Sequence, residues 1–137
     1  MPRRARSDLP PGVYHITNRC VDNLPIYMDD LDRKAFLTLF GWVVARFEWI
    51  CHAYCLMTTH YHLIVETDPP KLSSGMRRLN GAYAQQFNER HDRRGHVFGG
   101  RYSVYVINRD EHFEASCLYV LENPVRAGLC ETPGDWP

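Results

Sequence analysis

Apolar and polar positions follow two rhythms along this chain, and the changes between them predict its elements. Val13-Tyr-His-Ile-Thr-Asn-Arg19 alternates and is rich in β formers, which predicts a strand with His15, Thr17 and Arg19 on one face and Tyr14 and Ile16 on the other. A loop over residues 20–29 leads to a helix capped by Asp29 or Asp30 and running to about Phe47, with Phe36, Leu37, Phe40, Val43, Val44 and Phe47 as its apolar stripe. Ile50 to Glu66 reads as two short apolar strands around a polar corner, Thr58-Thr59. Asp68-Pro69-Pro70 breaks that pattern. A second helix is expected from about Leu72 to Glu89, with Leu72, Met76, Leu79, Tyr83 and Phe87 on one face and Arg77, Arg78 and Asn80 toward the polar side. After a loop at residues 91–96, the stretch Val97–Ile107 turns at Gly99-Gly100 and becomes a strand, with Arg101, Ser103 and Tyr105 on one face. Asn108 to Glu111 opens a third helix that directs Phe113, Cys117, Val120 and Leu121 inward and ends at Asn123-Pro124. The order β-α-β-β-α-β, plus a C-terminal helix, predicts an α+β, ferredoxin-like sandwich: a mostly antiparallel sheet with helices on one face.

Length and composition narrow this further. A chain of 137 residues is expected to form a single domain over 1–137, with residues 1–11 as a basic, proline-containing arm. No apolar run approaches the roughly 20 residues of a membrane span, and the basic start lacks the apolar middle of a secretory signal, so the expected location is cytoplasmic. The cysteine count of 5 is odd and no C-x-x-C pair occurs; Cys51 and Cys55, in an apolar strand, are expected to be buried reduced thiols.

A net charge of +0 argues against a generic nucleic-acid binder. Its distribution argues otherwise. Residues 1–20 carry Arg3, Arg4, Arg6 and Arg19 against Asp8, and residues 77–109 carry seven arginines against Glu89 and Asp92, while the remaining segments are acidic. Only Lys34 and Lys71 are lysines. Arginine forks match phosphate oxygens and stack on bases.

The candidate chemistry lies in two places. His60 and His62 are two apart on a strand, so both imidazoles share a face while Tyr61, Leu63 and Val65 point the other way. That pair makes half of a metal site, and it equally suits polar residues on an exposed strand face. Tyr119 and Asn123 are four apart on the third helix, outside its apolar stripe. A phenol becomes a nucleophile when its charge is stabilised by a metal or cation. Asn123 offers an amide oxygen as a third ligand, and Glu122 is the competing oxygen donor.

Four segments together, in order, carry a resemblance: Val13-Tyr-His-Ile-Thr-Asn-Arg19, Met57-Thr-Thr-His-Tyr-His-Leu-Ile64, Val97-Phe-Gly-Gly-Arg-Tyr102 and Tyr119-Val-Leu-Glu-Asn-Pro-Val-Arg-Ala-Gly-Leu129. The chain resembles the single-tyrosine HUH transposases and, within them, the REP-associated tyrosine transposases. The resemblance implies a metal-dependent nuclease and strand transferase for single-stranded or hairpin DNA, in which the tyrosine attacks a backbone phosphorus to leave a 5′-phosphotyrosine and a free 3′-hydroxyl. By position it makes Tyr119 the nucleophile, His60 and His62 metal ligands, and Asn123 the third ligand. It implies Mg²⁺ or Mn²⁺; imidazole ligands favour Mn²⁺. Arg3, Arg4, Arg19, Arg77, Arg78 and Arg101 are the candidates for the DNA path, with no membrane partner. Relatives act as monomers or as dimers that exchange the tyrosine helix, so a homodimer is admitted.

The chain departs from the pattern in two places. Thr58-Thr59 stand where a proline and an acidic or amide residue usually precede the histidines, and the chain ends at Trp136-Pro137 where many relatives continue into a tail. Two other readings compete: a non-catalytic nucleic-acid-binding module on the same fold, and a small metal hydrolase with a water nucleophile.

Overall fold

The computed structural model describes residues 11–21, 24–107, 117, 119 and 120. Among them the elements run β1 (Gly12–Arg19), α1 (Asp30–Arg46), β2 (Ile50–Leu56), β3 (His60–Thr67), α2 (Pro69–His91) and β4 (Ser103–Ile107). The four strands form one sheet in the order β2-β3-β1-β4, with every neighbouring pair antiparallel. This is the expected ferredoxin-like arrangement, with β1 and β3 at its centre. The expected third helix lies largely outside the described residues; Cys117, Tyr119 and Val120 are helical.

The alternation in each strand divides the side chains between two cores. Tyr14, Ile16, Tyr61, Leu63 and Val65 face α1 and α2, where they meet Phe36, Phe40, Leu72, Met76, Leu79, Tyr83 and Phe87. Rings dominate this layer: Phe36 lies against Tyr61 with centroids 5.0 Å apart and edge-on to Tyr83 at 5.3 Å. The opposite face has a smaller core of Val13, Ala53, Cys55, Met57, Ile64 and Ile107, onto which Val120 and the half-buried Cys117 pack. Because both faces are covered, β3 is buried from Tyr61 to Val65 without interruption.

Two details differ from the sequence reading. Pro69 and Pro70 open α2 instead of standing in a loop before it: Asp68 is the N-cap, its carboxylate accepting from the Lys71 N–H at 3.0 Å. Proline fits there because its missing N–H would have had no partner in the first turn. Cys51 is exposed while Cys55 is buried, since β2 is an edge strand whose register slips between Cys51 and Ala53.

Capping and a polar brace fix the two helices against each other. Asp29 caps α1, accepting from the Asp32 N–H at 3.1 Å. Buried Asp32 accepts from the Met28 N–H and from Arg90, and it also bonds the His91 ring at 2.8 Å. Arg90 donates as well to both oxygens of Asp29 at 2.6 and 2.7 Å, so the end of α2 is tied to the start of α1. The Tyr83 hydroxyl donates to the Ile26 carbonyl beneath this brace.

At the other end of α2, Trp49 packs close against the helix at Gly75, its indole N–H donating to the Lys71 carbonyl at 3.2 Å. A Cβ on Gly75 would stand 2.3 Å from the Trp49 ring, whereas one on Gly81 would meet nothing within 4 Å. The two glycines should therefore respond oppositely to alanine. Gly81→Ala is expected to stabilise by about 0.5–1 kcal/mol through backbone entropy. Gly75→Ala is expected to destabilise by about 1 kcal/mol or more, since overpacking of about 1–3 kcal/mol outweighs the helix-propensity gain. Urea midpoints of the two variants check this; equal shifts would contradict the close packing of Trp49.

Candidate functional site

The functional residues meet on the sheet face turned away from α1 and α2. Register brings them there: Thr17 stands opposite His62, Arg19 opposite His60 and His15 opposite Ile64 on one side of β1, and Thr17 opposite Ser103 and His15 opposite Tyr105 on the other. His62 therefore lies diagonal to His15, within the reach of long side chains on adjacent strands. The His15 Nε2 and His62 Nδ1 atoms are 2.9 Å apart, a hydrogen bond between imidazoles. The His60 and His62 rings are edge to face with centroids 5.0 Å apart.

Tyr119 arrives from the C-terminal helical turn, held by Val120, which is fully buried in the smaller core. Its own ring is 52% exposed, so it faces solvent over the histidines and not the core. The Tyr119 ring is 6.4 Å from His62 and 6.5 Å from His15, edge-on to both. Together these residues border a groove of about 460 Å³ that is also lined by Thr17, Arg19, Gly99, Gly100, Arg101, Ser103 and Tyr105.

Arg101 reaches the groove through a local irregularity. Thr17 pairs with Ser103, but Cys20, three residues on, bridges to Phe98, five residues back, so two extra residues are looped out between them. Gly99 and Gly100 sit in this loop, and the Gly99 N–H donates to the Arg19 carbonyl at 3.0 Å. A Cβ on Gly99 would approach the Cys20 carbonyl oxygen to 3.0 Å, so a side chain there would push the loop off β1. Bulges of this kind re-aim side chains beside active sites. Here the result is a pair of arginines, Arg19 and Arg101, lining the same groove.

Burial sets the state of the imidazoles. His60 is pushed down to about 4 by burial, with the Arg19 charge adding to the effect, and burial also lowers His15. A His60 that is neutral at physiological pH keeps a lone pair for a metal. Two imidazoles on one strand face, one of them braced by a third, fit as the nitrogen half of a divalent-cation site. Among the described residues no cluster of three or more His, Cys, Asp or Glu side chains could hold the ion alone. An oxygen donor from elsewhere is needed; Asn123, the expected one, lies outside the described residues, as do Arg3, Arg4 and Glu122.

The expected DNA-path arginines separate. Arg19 and Arg101 line the groove, whereas Arg77 and Arg78 are exposed on α2, across the sheet from His62. His15, Thr17, Ser103 and Tyr105 gain a place in the site that sequence spacing had not given them. Their alternation on β1 and β4 was visible, but which strands pair and in what register was not.

Residues 12–123 match the profile of the family described as "Transposase IS200 like". The chain belongs to the IS200-like transposase family. A REP-associated tyrosine transposase solved bound to a REP hairpin superposes over 100% of this chain and 81% of that one, with a TM-score of 0.79 at 17% identity. A protein from Deinococcus radiodurans R1 described as a transposase superposes over 89% of this chain and 97% of that one, with a TM-score of 0.59 at 16% identity. Among curated proteins no sequence matches. At such identities the likeness concerns the fold, which this IS200-like chain shares with a REP-associated tyrosine transposase. No described helix is long and apolar enough to cross a membrane.

The depressed His60 carries a consequence for stability in the absence of metal. A histidine held below its ordinary 6.5 in the fold is neutral there, while the unfolded chain takes up the proton as pH falls. Its contribution is therefore complete above about pH 6.5 and is lost as the pH falls toward 4. With a chelator present, urea midpoints should decline across that window, and His60→Gln should flatten the decline. A proton titration of the His60 ring with its midpoint near 6.5 would contradict the assignment.

Proposed function

We propose that this transposase-family protein is a metal-dependent single-stranded DNA endonuclease and strand transferase that acts through a 5′-phosphotyrosine intermediate on hairpin or repeat-element DNA in the cytoplasm. The observation that carries this reading is the juxtaposition of Tyr119 with His62, ring centroids 6.4 Å apart, in an open groove flanked by Arg19 and Arg101. The hairpin bound to the structural neighbour supports the choice of folded DNA as substrate.

In this reading Arg19 and Arg101 hold the backbone phosphates of the strand in the groove. The Tyr119 Oη attacks the phosphorus: the new Oη–P bond forms as the P–O3′ bond breaks, the phenol loses its proton, and the departing 3′ oxygen gains one. The 5′-phosphate stays on Tyr119, and attack by another 3′-hydroxyl reverses the step and joins new ends. His60, His62 and an oxygen donor, for which Asn123 is the choice, would hold Mg²⁺ or Mn²⁺, which when bound stabilises the charge developing on the phosphate oxygens. The exposed Tyr105 ring beside the groove offers an unpaired base a surface to stack on.

His15 has a positioning part. In the tautomer where His62 Nδ1–H donates to His15 Nε2, the lone pair of His62 lies on Nε2, the nitrogen that would bind metal. His15→Leu should then weaken Mn²⁺ binding by about 10-fold, the loss typical of an outer partner of a metal ligand, while His15→Gln keeps an acceptor and most of the affinity. Calorimetry reads both; equal affinities in the two variants would remove His15 from the site.

The central test is the covalent adduct. Incubation of the protein with single-stranded or hairpin DNA and Mn²⁺, followed by denaturation, should give a shifted band that Tyr119→Phe abolishes. His60→Ala and His62→Ala should each lose the band and weaken Mn²⁺ binding by roughly 10-fold or more, at least as much as an outer partner does. Cleavage that persists in Tyr119→Phe would point to a water nucleophile, and DNA binding without any adduct to a non-catalytic module.

A further inference from the structure

The whole chain is neutral, yet the two helices that cover the sheet hold cations without anions through most of their length. Residues 33–47 include Arg33, Lys34 and Arg46, residues 69–88 include Lys71, Arg77 and Arg78, and neither stretch contains an Asp or Glu. The acids stand at the helix ends. Asp29 and Asp32 are committed to the brace with Arg90, Asp30 pairs with Arg33, and Glu48 lies 3.6 Å from Lys71. Among the described residues no carboxylate comes within ion-pair distance of Arg46, Arg77 or Arg78.

Arg77 and Arg78 line a groove of their own, and Arg46 stacks on Phe47 at its border. The groove, of about 560 Å³, runs between the end of α1 and the middle of α2, lined by Phe47, Ser74, Arg77, Arg78, Gly81 and Gln85, among others. The Arg78 guanidinium sits 5.0 Å over the half-exposed Trp42 ring, and that of Arg46 sits 5.5 Å over Phe47. Stacking holds a guanidinium by its face and leaves its N–H edge for other partners. The groove wall thus presents oriented cationic donors beside the neutral donors of Ser74 and Gln85, with no acid between them.

We propose that this outer face of the helix layer binds the backbone of duplex DNA, as a second surface separate from the groove before Tyr119. The proposal rests on the reading of folded DNA as substrate. Single strands are gripped by open aromatic platforms for their bases. Here the large exposed ring of the patch, Trp42, already has the Arg78 guanidinium stacked on it, so the face presents cationic donors for phosphates more than an open platform for bases. The sheet lies between this face and the Tyr119 groove, so one DNA molecule would place its stem on the helices and its single-stranded arm around the edge of the domain.

The test compares the full-length protein with Arg77→Gln/Arg78→Gln on two probes, a long-stemmed DNA hairpin carrying a single-stranded arm and the arm alone. Removing one arginine from a duplex phosphate should lower the slope of log K against log salt by about 1. The double variant should therefore bind the hairpin with a slope reduced by about 2 and the arm alone with an unchanged slope. An unchanged hairpin slope, or an equal reduction on the arm, would overturn the proposal. Polyglutamate displacing the stem as well as a charge-matched duplex does would also overturn it, assigning the face to acidic proteins. If the double variant shows the reduced hairpin slope while the wild-type protein forms no Tyr119 adduct, this surface stands and the catalytic reading falls instead.

Discussion

The antiparallel pairing of β1 with β3 is the constraint on which the rest of this structure depends. Thr17 opposite His62 and Arg19 opposite His60 put the polar side chains of both strands on one face, and Tyr14, Ile16, Tyr61, Leu63 and Val65 on the other. A slip of one residue in either strand would exchange the faces, driving imidazoles into the aromatic layer and rings into the groove. The large aromatic core under the helices therefore does more than stabilise. Its preference for one register also aims the histidines.

Burial on both sides of the sheet then shapes the chemistry. A two-layer fold with one solvated face would leave His60 and His62 in water. Here the smaller core of Val13, Ala53, Cys55, Ile64 and Ile107 abuts them, and Val120 packs on it from the segment that carries Tyr119. Burial also removes water from His60 and His15, and desolvation disfavours the charged imidazole.

The polar brace between the helices is a separate matter from the site. Asp32, Arg90, His91 and Asp29 form a network at the far side of the sheet from Tyr119, with every group hydrogen-bonded. Removing one partner would strand the buried Asp32 carboxylate, which is the costly way to break such a network. The brace takes up Asp29 and Asp32, and Arg33 pairs with Asp30, so residues 33–47 and 69–88 keep their cations without acids among them.

Much of this was legible in the residues themselves. Alternation and helical spacing located six elements and, for β3 and the two helices, the inward face, because those periods are properties of the backbone and need no partner. The histidine pair and the tyrosine were visible for the same reason, and the ordered motifs pointed to the family. What lay beyond reach were the features made by chain segments meeting. Pro69-Pro70 read as a break until the cap at Asp68 gave their missing N–H groups a place to be harmless. Cys51 read as buried until β2 proved to be an edge. Strand pairing brought His15 against His62, a looped-out glycine pair turned Arg101 into the groove, and the sheet itself divided arginines that had looked like one path. Local sequence determines which face a side chain takes. Only the long-range register, selected by the total burial of the folded chain, decides which other side chains share that face.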